Sequence, residues 1–153
     1  MSRVQLALRV ADLDASIEFY SKLFSAEPAK RRPGYANFAI AEPPLKLVLL
    51  EGEPSQSTVM DHLGVEVETT DLVTAATQRL ADAGLATTVE EDSACCYAVQ
   101  DKVWVTGPGQ EPWEVYVVKG DADTLERAAG SACCSPAAST ATAAASPAAS
   151  ACC

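Results

Sequence analysis

Cys95 and Cys96 are adjacent in the chain. Two neighbouring thiolates can chelate a single thiophilic centre. His62, the only histidine, lies in Asp61-His62-Leu63-Gly64-Val65-Glu66-Val67-Glu68. There Leu63, Val65 and Val67 fall on one face and His62, Gly64, Glu66 and Glu68 on the other, the period of a half-buried strand. Glu114 lies in Trp113-Glu114-Val115-Tyr116-Val117-Val118, sharing a face with Tyr116 and Val118. A carboxylate inside so apolar a strand is costly unless it is paired or bound to a cation. Gln5 sits in Val4-Gln5-Leu6-Ala7-Leu8-Arg9-Val10. Together Gln5, His62 and Glu114 make an N/O ligand set with room for water or substrate. It is the pattern of a facial triad for Fe(II), with an amide oxygen in place of one imidazole.

Each residue also has a plainer reading. A lone strand histidine is more often core or rim than ligand. A strand glutamine usually faces solvent, Glu114 fits an outer strand face, and a cysteine pair fits simple packing. Residues 92–96 read as a loop, which favours access to the thiols, and Tyr97 follows as a possible substrate contact. Lys102, if near in space, favours thiolate by its charge and is a second candidate contact.

These residues need elements to position them, and the sequence supplies a repeat. Strand 3–10 leads into Asp12-Leu13-Asp14 and the helical run Ile17 to Phe24; strand 61–68 leads into Asp71-Leu72 and a helix over 71–83, with Gly84 as a C-cap candidate. Aligning the copies sets Gln5 opposite His62, Leu6 opposite Leu63 and Leu8 opposite Val65, so the chain reads as two related halves. Gln5 and His62 are then expected near each other on one face of a shared sheet. Ile17, Tyr20, Leu23 and Phe24 are expected in the core of the first helix, and Leu72, Ala75, Ala76 and Leu80 carry the helical pattern of the second. Strands are expected at 35–40, 45–50, 86–91, 97–105 and 113–118, plus a short one ending near Arg31. Each half therefore reads β-α-β-β-β. Residues 1–120 are expected as one domain, with modules 1–57 and 58–120.

Composition narrows the function classes. Of 153 residues, 11 are Lys or Arg and 21 Asp or Glu, a formal net charge of -10. That balance repels phosphate backbones, so nucleic acid is not an expected partner. No stretch suits a bilayer span and the first residues do not read as a secretory signal, so the expected compartment is the cytoplasm. Reducing conditions there argue against disulfides, although all six cysteines occur as pairs: Cys95-Cys96, Cys133-Cys134 and Cys152-Cys153. Residues 121–129 fit a short helix. Residues 130–153 carry no aromatic and no charged residue, and 121–153 is expected to be a largely disordered tail.

The segment Val4 to Phe24 resembles the opening of the vicinal oxygen chelate family (glyoxalases, bleomycin-resistance proteins and extradiol dioxygenases). Val105 to Tyr116 resembles its closing strand pair, with the family's metal-binding glutamate at Glu114. The resemblance covers residues 3–119. It implies an α+β fold in which two βαβββ modules form a cupped mixed sheet with a metal site. The Cys95-Cys96 loop and the Trp113-Glu114-Val115-Tyr116 strand resemble those of carbon–arsenic lyases and their cadmium-induced relatives. That likeness implies Fe(II) held by Gln5, His62 and Glu114, a trivalent organoarsenical such as methylarsonous acid held by Cys95 and Cys96, and dioxygen as co-substrate. A fourth ligand often comes from the last strand of the first half; aligning Gly52 with Gly120 puts Lys46 there, which cannot ligate. A non-catalytic cadmium- or arsenic-binding resistance protein and a glyoxalase-like enzyme or drug-binding protein are the alternatives, and monomer and homodimer both fit.

Overall fold

The computed structural model describes residues 2–125. The element order is β1 (Arg3–Val10), α1 (Leu13–Phe24), β2 (Lys30–Arg32), β3 (Tyr35–Ile40), β4 (Leu45–Glu51), β5 (Val59–Glu66), α2 (Thr70–Asp82), β6 (Thr87–Cys95), β7 (Ala98–Thr106) and β8 (Pro112–Asp121). The strands form one curled eight-stranded mixed sheet in the order β2-β3-β4-β1-β5-β8-β7-β6. This is the βαβββ plan twice over, joined where β1 and β5 pair antiparallel. Gln5 lies opposite Gly64, Leu6 opposite Leu63 and Ala7 opposite His62. A pseudo-twofold axis therefore passes through the Leu6–Leu63 pair and relates Gln5 to His62 and Ala7 to Gly64, the correspondence seen in the sequence repeat.

Local chemistry sets the helix ends. Asp12 accepts from the Ala15 N–H at 2.9 Å and caps α1. Thr69 caps α2, and Gly84 follows it at φ +76°. One face of each helix covers the convex side of its half of the sheet. Leu13 and Ile17 pack with Phe38, Leu47 and Leu49; Val73, Ala76 and Leu80 pack with Val103 and Val117. The helix face expected from spacing needs correction in α1: Leu23 is 57 % exposed, because the sheet meets the helix along a stripe narrower than the apolar run.

Several boundaries also move. β5 starts and ends two residues earlier than expected, and Thr69 caps α2, which starts at Thr70. Residues 92–95 of the expected loop 92–96 are instead the end of β6, which pairs with β7 through Cys95 opposite Ala98 and absorbs a register shift between Glu90 and Ser93; only Cys96 lies in a turn. A helix from 121 does not form over the described residues: Asp121 still pairs with Ala98. After it, the Leu125 carbonyl accepts from Cys96 N–H at 2.9 Å and the Thr124 carbonyl from Tyr97 N–H at 2.8 Å. Residues 126–129 of that expected helix, and the tail expected over 130–153, lie outside the described residues.

Candidate metal and thiol site

The concave side of the sheet carries polar groups in place of apolar ones. Gln5 comes from β1, His62 from β5, Lys102 from β7 and Glu114 from β8, and all are at least 95 % buried. They line a cavity of about 200 Å³ together with Cys96 and Lys46. Gln5 Nε2 lies 3.0 Å from His62 Nε2 and 2.8 Å from Glu114 Oε1. His62 Nε2 lies 3.4 Å from the same Glu114 oxygen. Three residues from three strands thus converge on one corner. Gly64 makes room for them: a Cβ there would stand 3.1 Å from Glu114 Cγ and 3.3 Å from both Gln5 Cβ and a Tyr116 ring carbon.

The corner is electrostatically tuned from behind. Asp61 Oδ1 lies 2.7 Å from His62 Nδ1, and Asp61 is itself held by Arg9 Nε at 2.6 Å. Burial works against protonating His62, but the hydrogen bonds and charges of Asp61 and Glu114 outweigh it and hold the ring near a pKa of about 9. Burial likewise works against ionising Glu114, yet the charge of Lys102, with His62, holds its carboxyl down at about 2. Lys102 Nζ donates to Glu114 Oε2 at 2.8 Å and lies 3.7 Å from Cys95 Sγ. It therefore bridges the carboxylate corner and the thiol pair.

The thiols owe their geometry to a turn. Cys96 and Tyr97 have φ of 53° and 58°, two consecutive left-handed residues between the paired Cys95 and Ala98. This is the two-residue hairpin loop that normally selects Asn-Gly. With side chains of this size, the conformation costs about 1–2 kcal/mol per residue. In an extended strand adjacent side chains point to opposite faces; here the turn brings the two Sγ atoms to 3.6 Å. The thiols are not equally accessible, contrary to a loop reading. Cys95 is fully buried against Trp104, whereas Cys96 lines the cavity. Tyr97 points its hydroxyl at the Pro33 carbonyl, 3.0 Å away, and packs its ring on Tyr35, so it anchors the turn to the first module and does not line the cavity.

Among the described residues no three of His, Cys, Asp and Glu cluster as a ligand set; the third donor here is an amide. Donor spacing nevertheless fits one cation. Bonds of about 2.1 Å at right angles set neighbouring ligand atoms ~3.0 Å apart, and the three observed separations bracket that value. The amide is oriented by Tyr116, whose hydroxyl reaches both Gln5 Oε1 and, at 2.9 Å, Glu66 Oε2. One phenolic proton cannot serve two acceptors. Turning the amide over lets Gln5 Nε2 donate to the Tyr116 oxygen and leaves Tyr116 to donate to Glu66. Gln5 Oε1 then faces His62 Nε2 and Glu114 Oε1, so three donor atoms meet where either the proton on His62 or a cation in its place satisfies them. Tyr116 ionisation is pushed far up by burial and by Glu66 and Glu114, so it remains a donor.

The same register corrects the expected fourth position. Gly64 pairs with Glu114 on β8, and its counterpart Ala7 pairs with Val48 on β4. Val48, not Lys46, stands where a fourth ligand would come from. Lys46 pairs with Glu66 at 2.9 Å instead. Sequence reasoning also missed the parts played by Tyr116, Asp61, Trp104 and Gly64. The alternation that put Tyr116 on the face of Glu114 was the available signal for the first; the others depend on cross-strand register.

The glyoxalase/bleomycin resistance protein/dioxygenase superfamily profile matches residues 3–115. A protein named trivalent organoarsenical cleaving enzyme, from Thermomonospora curvata, is 74 % identical over 89 % of this chain and 90 % of its own length. The cadmium-induced protein CadI of Mycobacterium tuberculosis is 64 % identical over 82 % of each chain. Among solved structures, the Mn(II)-bound glyoxalase of Novosphingobium aromaticivorans superposes with a TM-score of 0.57 at 18 % identity, covering 84 % of this chain and 44 % of the other; that likeness concerns the fold. With its duplicated βαβββ plan and matching profile, the chain belongs to the glyoxalase/bleomycin resistance protein/dioxygenase superfamily.

Proposed function

We propose that the chain cleaves the carbon–arsenic bond of trivalent organoarsenicals, with Fe(II) at Gln5, His62 and Glu114 and dioxygen as co-substrate. One observation carries the reading: the strained Cys96–Tyr97 turn holds two sulfurs 3.6 Å apart, and Lys102 links that pair to the buried carboxylate corner. A trivalent arsenical exchanges two hydroxyls for the two sulfurs and releases two waters, leaving the arsenic valence unchanged. Cys96 reacts first because it lines the cavity; Cys95 closes the chelate from behind. The Lys102 ammonium beside Cys95 favours its thiolate. The turn then fixes the arsenic and its organic group over the ligand corner, supplying orientation that free thiols lack. A cavity of about 200 Å³ suits a compound of a few heavy atoms rather than a large drug. Fe(II) held by Gln5, His62 and Glu114 would supply the electrons that activate dioxygen against the carbon–arsenic bond. The relatives named for organoarsenical cleavage support this assignment. No helix of the described residues is long and apolar enough to cross a membrane, and the need for reduced thiols fits a cytoplasmic protein.

A sequestering role for cadmium or arsenic is the second reading, favoured by the likeness to CadI and by the three cysteine pairs. Oxygen uptake separates the two. Fe(II)-loaded protein given methylarsonous acid is expected to consume dioxygen and release arsenite. Tight binding of the arsenical with no oxygen uptake would establish sequestration instead.

A further inference from the structure

The cavity is lined by excess positive charge in a protein of formal net charge -10. Among the described residues its lining includes the cations Arg3, Lys30, Lys46 and Lys102 and the carboxylates Glu66 and Glu114. Lys102 is matched by Glu114 at 2.8 Å, and Lys30 by Asp121 and the Tyr97 carbonyl. Arg3 and Lys46, however, share one partner. They lie 3.0 Å and 2.9 Å from the Glu66 carboxylate, which also accepts from the Tyr116 hydroxyl at 2.9 Å. Two cations on one carboxylate leave one positive charge over. The Lys46 side chain is only 11 % exposed and that of Arg3 27 %, so water screens this charge less than it would on an open surface.

Strand register sets the excess charge beside the thiols and the ligand corner. Lys46 pairs with Gln5 across β4 and β1, and Arg3 lies two residues before Gln5, on the same face of β1. Lys46 Nζ stands 5.0 Å from the centre of the Tyr116 ring, whose hydroxyl meets Gln5 Oε1. Cys96 packs against the cluster that contains Val48. Val48 follows Lys46 by two residues on the same face of β4, a step of about 7 Å along the strand. Arsenic on the sulfurs and an anion on Lys46 are thus one small organic group apart. Donors remain for such an anion: an ammonium has three N–H groups and a guanidinium five, and Arg3 engages Glu66 through Nη2.

We propose that Lys46 and Arg3 form a carboxylate-recognition site, and that the preferred arsenical carries a carboxylate on its organic group. The proposal rests on the reading of Cys95-Cys96 as the arsenic site and names the class of organic group that site takes. Charge-assisted hydrogen bonds hold the far end of the substrate while the sulfurs hold the arsenic. Anchored at both ends, the carbon–arsenic bond lies across the corner of Gln5, His62 and Glu114. A methyl group has no atom for the second anchor.

The test is equilibrium binding of phenylarsonous, 4-carboxyphenylarsonous and 4-(aminomethyl)phenylarsonous acids to the full chain under argon. Dithiothreitol competes for the arsenic, and fluorescence of Trp104, which packs on Cys95, reports occupancy. The carboxylated compound is expected to bind about fivefold or more tightly than the phenyl compound, the increment of one partly buried ion pair, and the cationic compound more weakly than either. In Lys46→Met the ratio of carboxylated to phenyl affinity should fall towards one, and in Lys46→Arg it should survive. Equal affinity for all three compounds in the unaltered chain overturns the proposal, as does a carboxylate preference that persists in Lys46→Met/Arg3→Met. A Cys95→Ser/Cys96→Ser chain that still binds the phenyl compound with full affinity would instead overturn the arsenic-site reading beneath it.

Discussion

The two modules share one plan and both line the cavity, but they contribute unequally to the polar corner and its thiol neighbours. The second supplies His62, Glu114, Lys102 and both cysteines; the first supplies Gln5. At the pseudo-symmetric positions, imidazole faces amide, and the Glu114 carboxylate faces the Val48 isopropyl group. The lesson is that a duplicated fold can offer four symmetry-related positions and leave one apolar. In the proposed reading, three protein ligands would leave room for co-substrate at a metal, whereas four would approach a closed structural site.

The comparison breaks most completely at its strongest ligand. His62→Ala is expected to lower Fe(II) affinity on the order of a hundredfold or more, beyond the 10–100-fold typical of outer-shell changes. Isothermal titration with metal checks this, and unchanged affinity would remove the imidazole from the site. Cys95→Ser/Cys96→Ser is expected to weaken arsenical binding by about a hundredfold or more, since a chelate with high effective concentration is lost, while metal affinity stays put.

Restoring the symmetry should sharpen the comparison. Val48→Glu places a carboxylate opposite Glu114; it should tighten metal binding by about tenfold, as added ligand charge does, and suppress oxygen uptake. Weaker binding would show that Val48 does not face the corner. Tyr116→Phe should weaken metal binding about tenfold. In a Gln5→Glu background, whose two oxygens need no orienting, that loss should largely vanish. Equal losses in both backgrounds would make Tyr116 a packing residue only.

A further test is in pH. His62 is held near a pKa of about 9, above its ordinary 6.5. Its ion pairing therefore stabilises the metal-free fold fully below about pH 6.5, and that contribution is lost as pH rises through about 9. Over the same window metal must displace one proton, so affinity should rise about tenfold per pH unit and level off near 9. Flat metal affinity between pH 7 and 9 would place the histidine charge elsewhere.

Much of the fold was legible because the repeat carries its own periodicity: strand alternation at Leu63, Val65 and Val67, and the capping Asp12 before a helical run. Gln5, His62 and Glu114 were legible as candidates because each is a polar interruption of an apolar strand. The repeat also predicted the nearness of Gln5 and His62; the correct partner of Glu114 across the pseudo-twofold and the dithiol turn were not legible. Those depend on pairing register and on two left-handed residues, and Cys-Tyr is a poor sequence signal for such a turn. The stripe that α1 buries was misjudged at Leu23, since apolar side chains at helical spacing do not reveal how wide the covering sheet is.

X-ray absorption on protein loaded with Fe(II) and a trivalent arsenical tests the separation of the two centres most directly. The account predicts iron with nitrogen and oxygen neighbours only, and arsenic with two sulfur neighbours. Sulfur bound to the iron, or arsenic without sulfur, would contradict it.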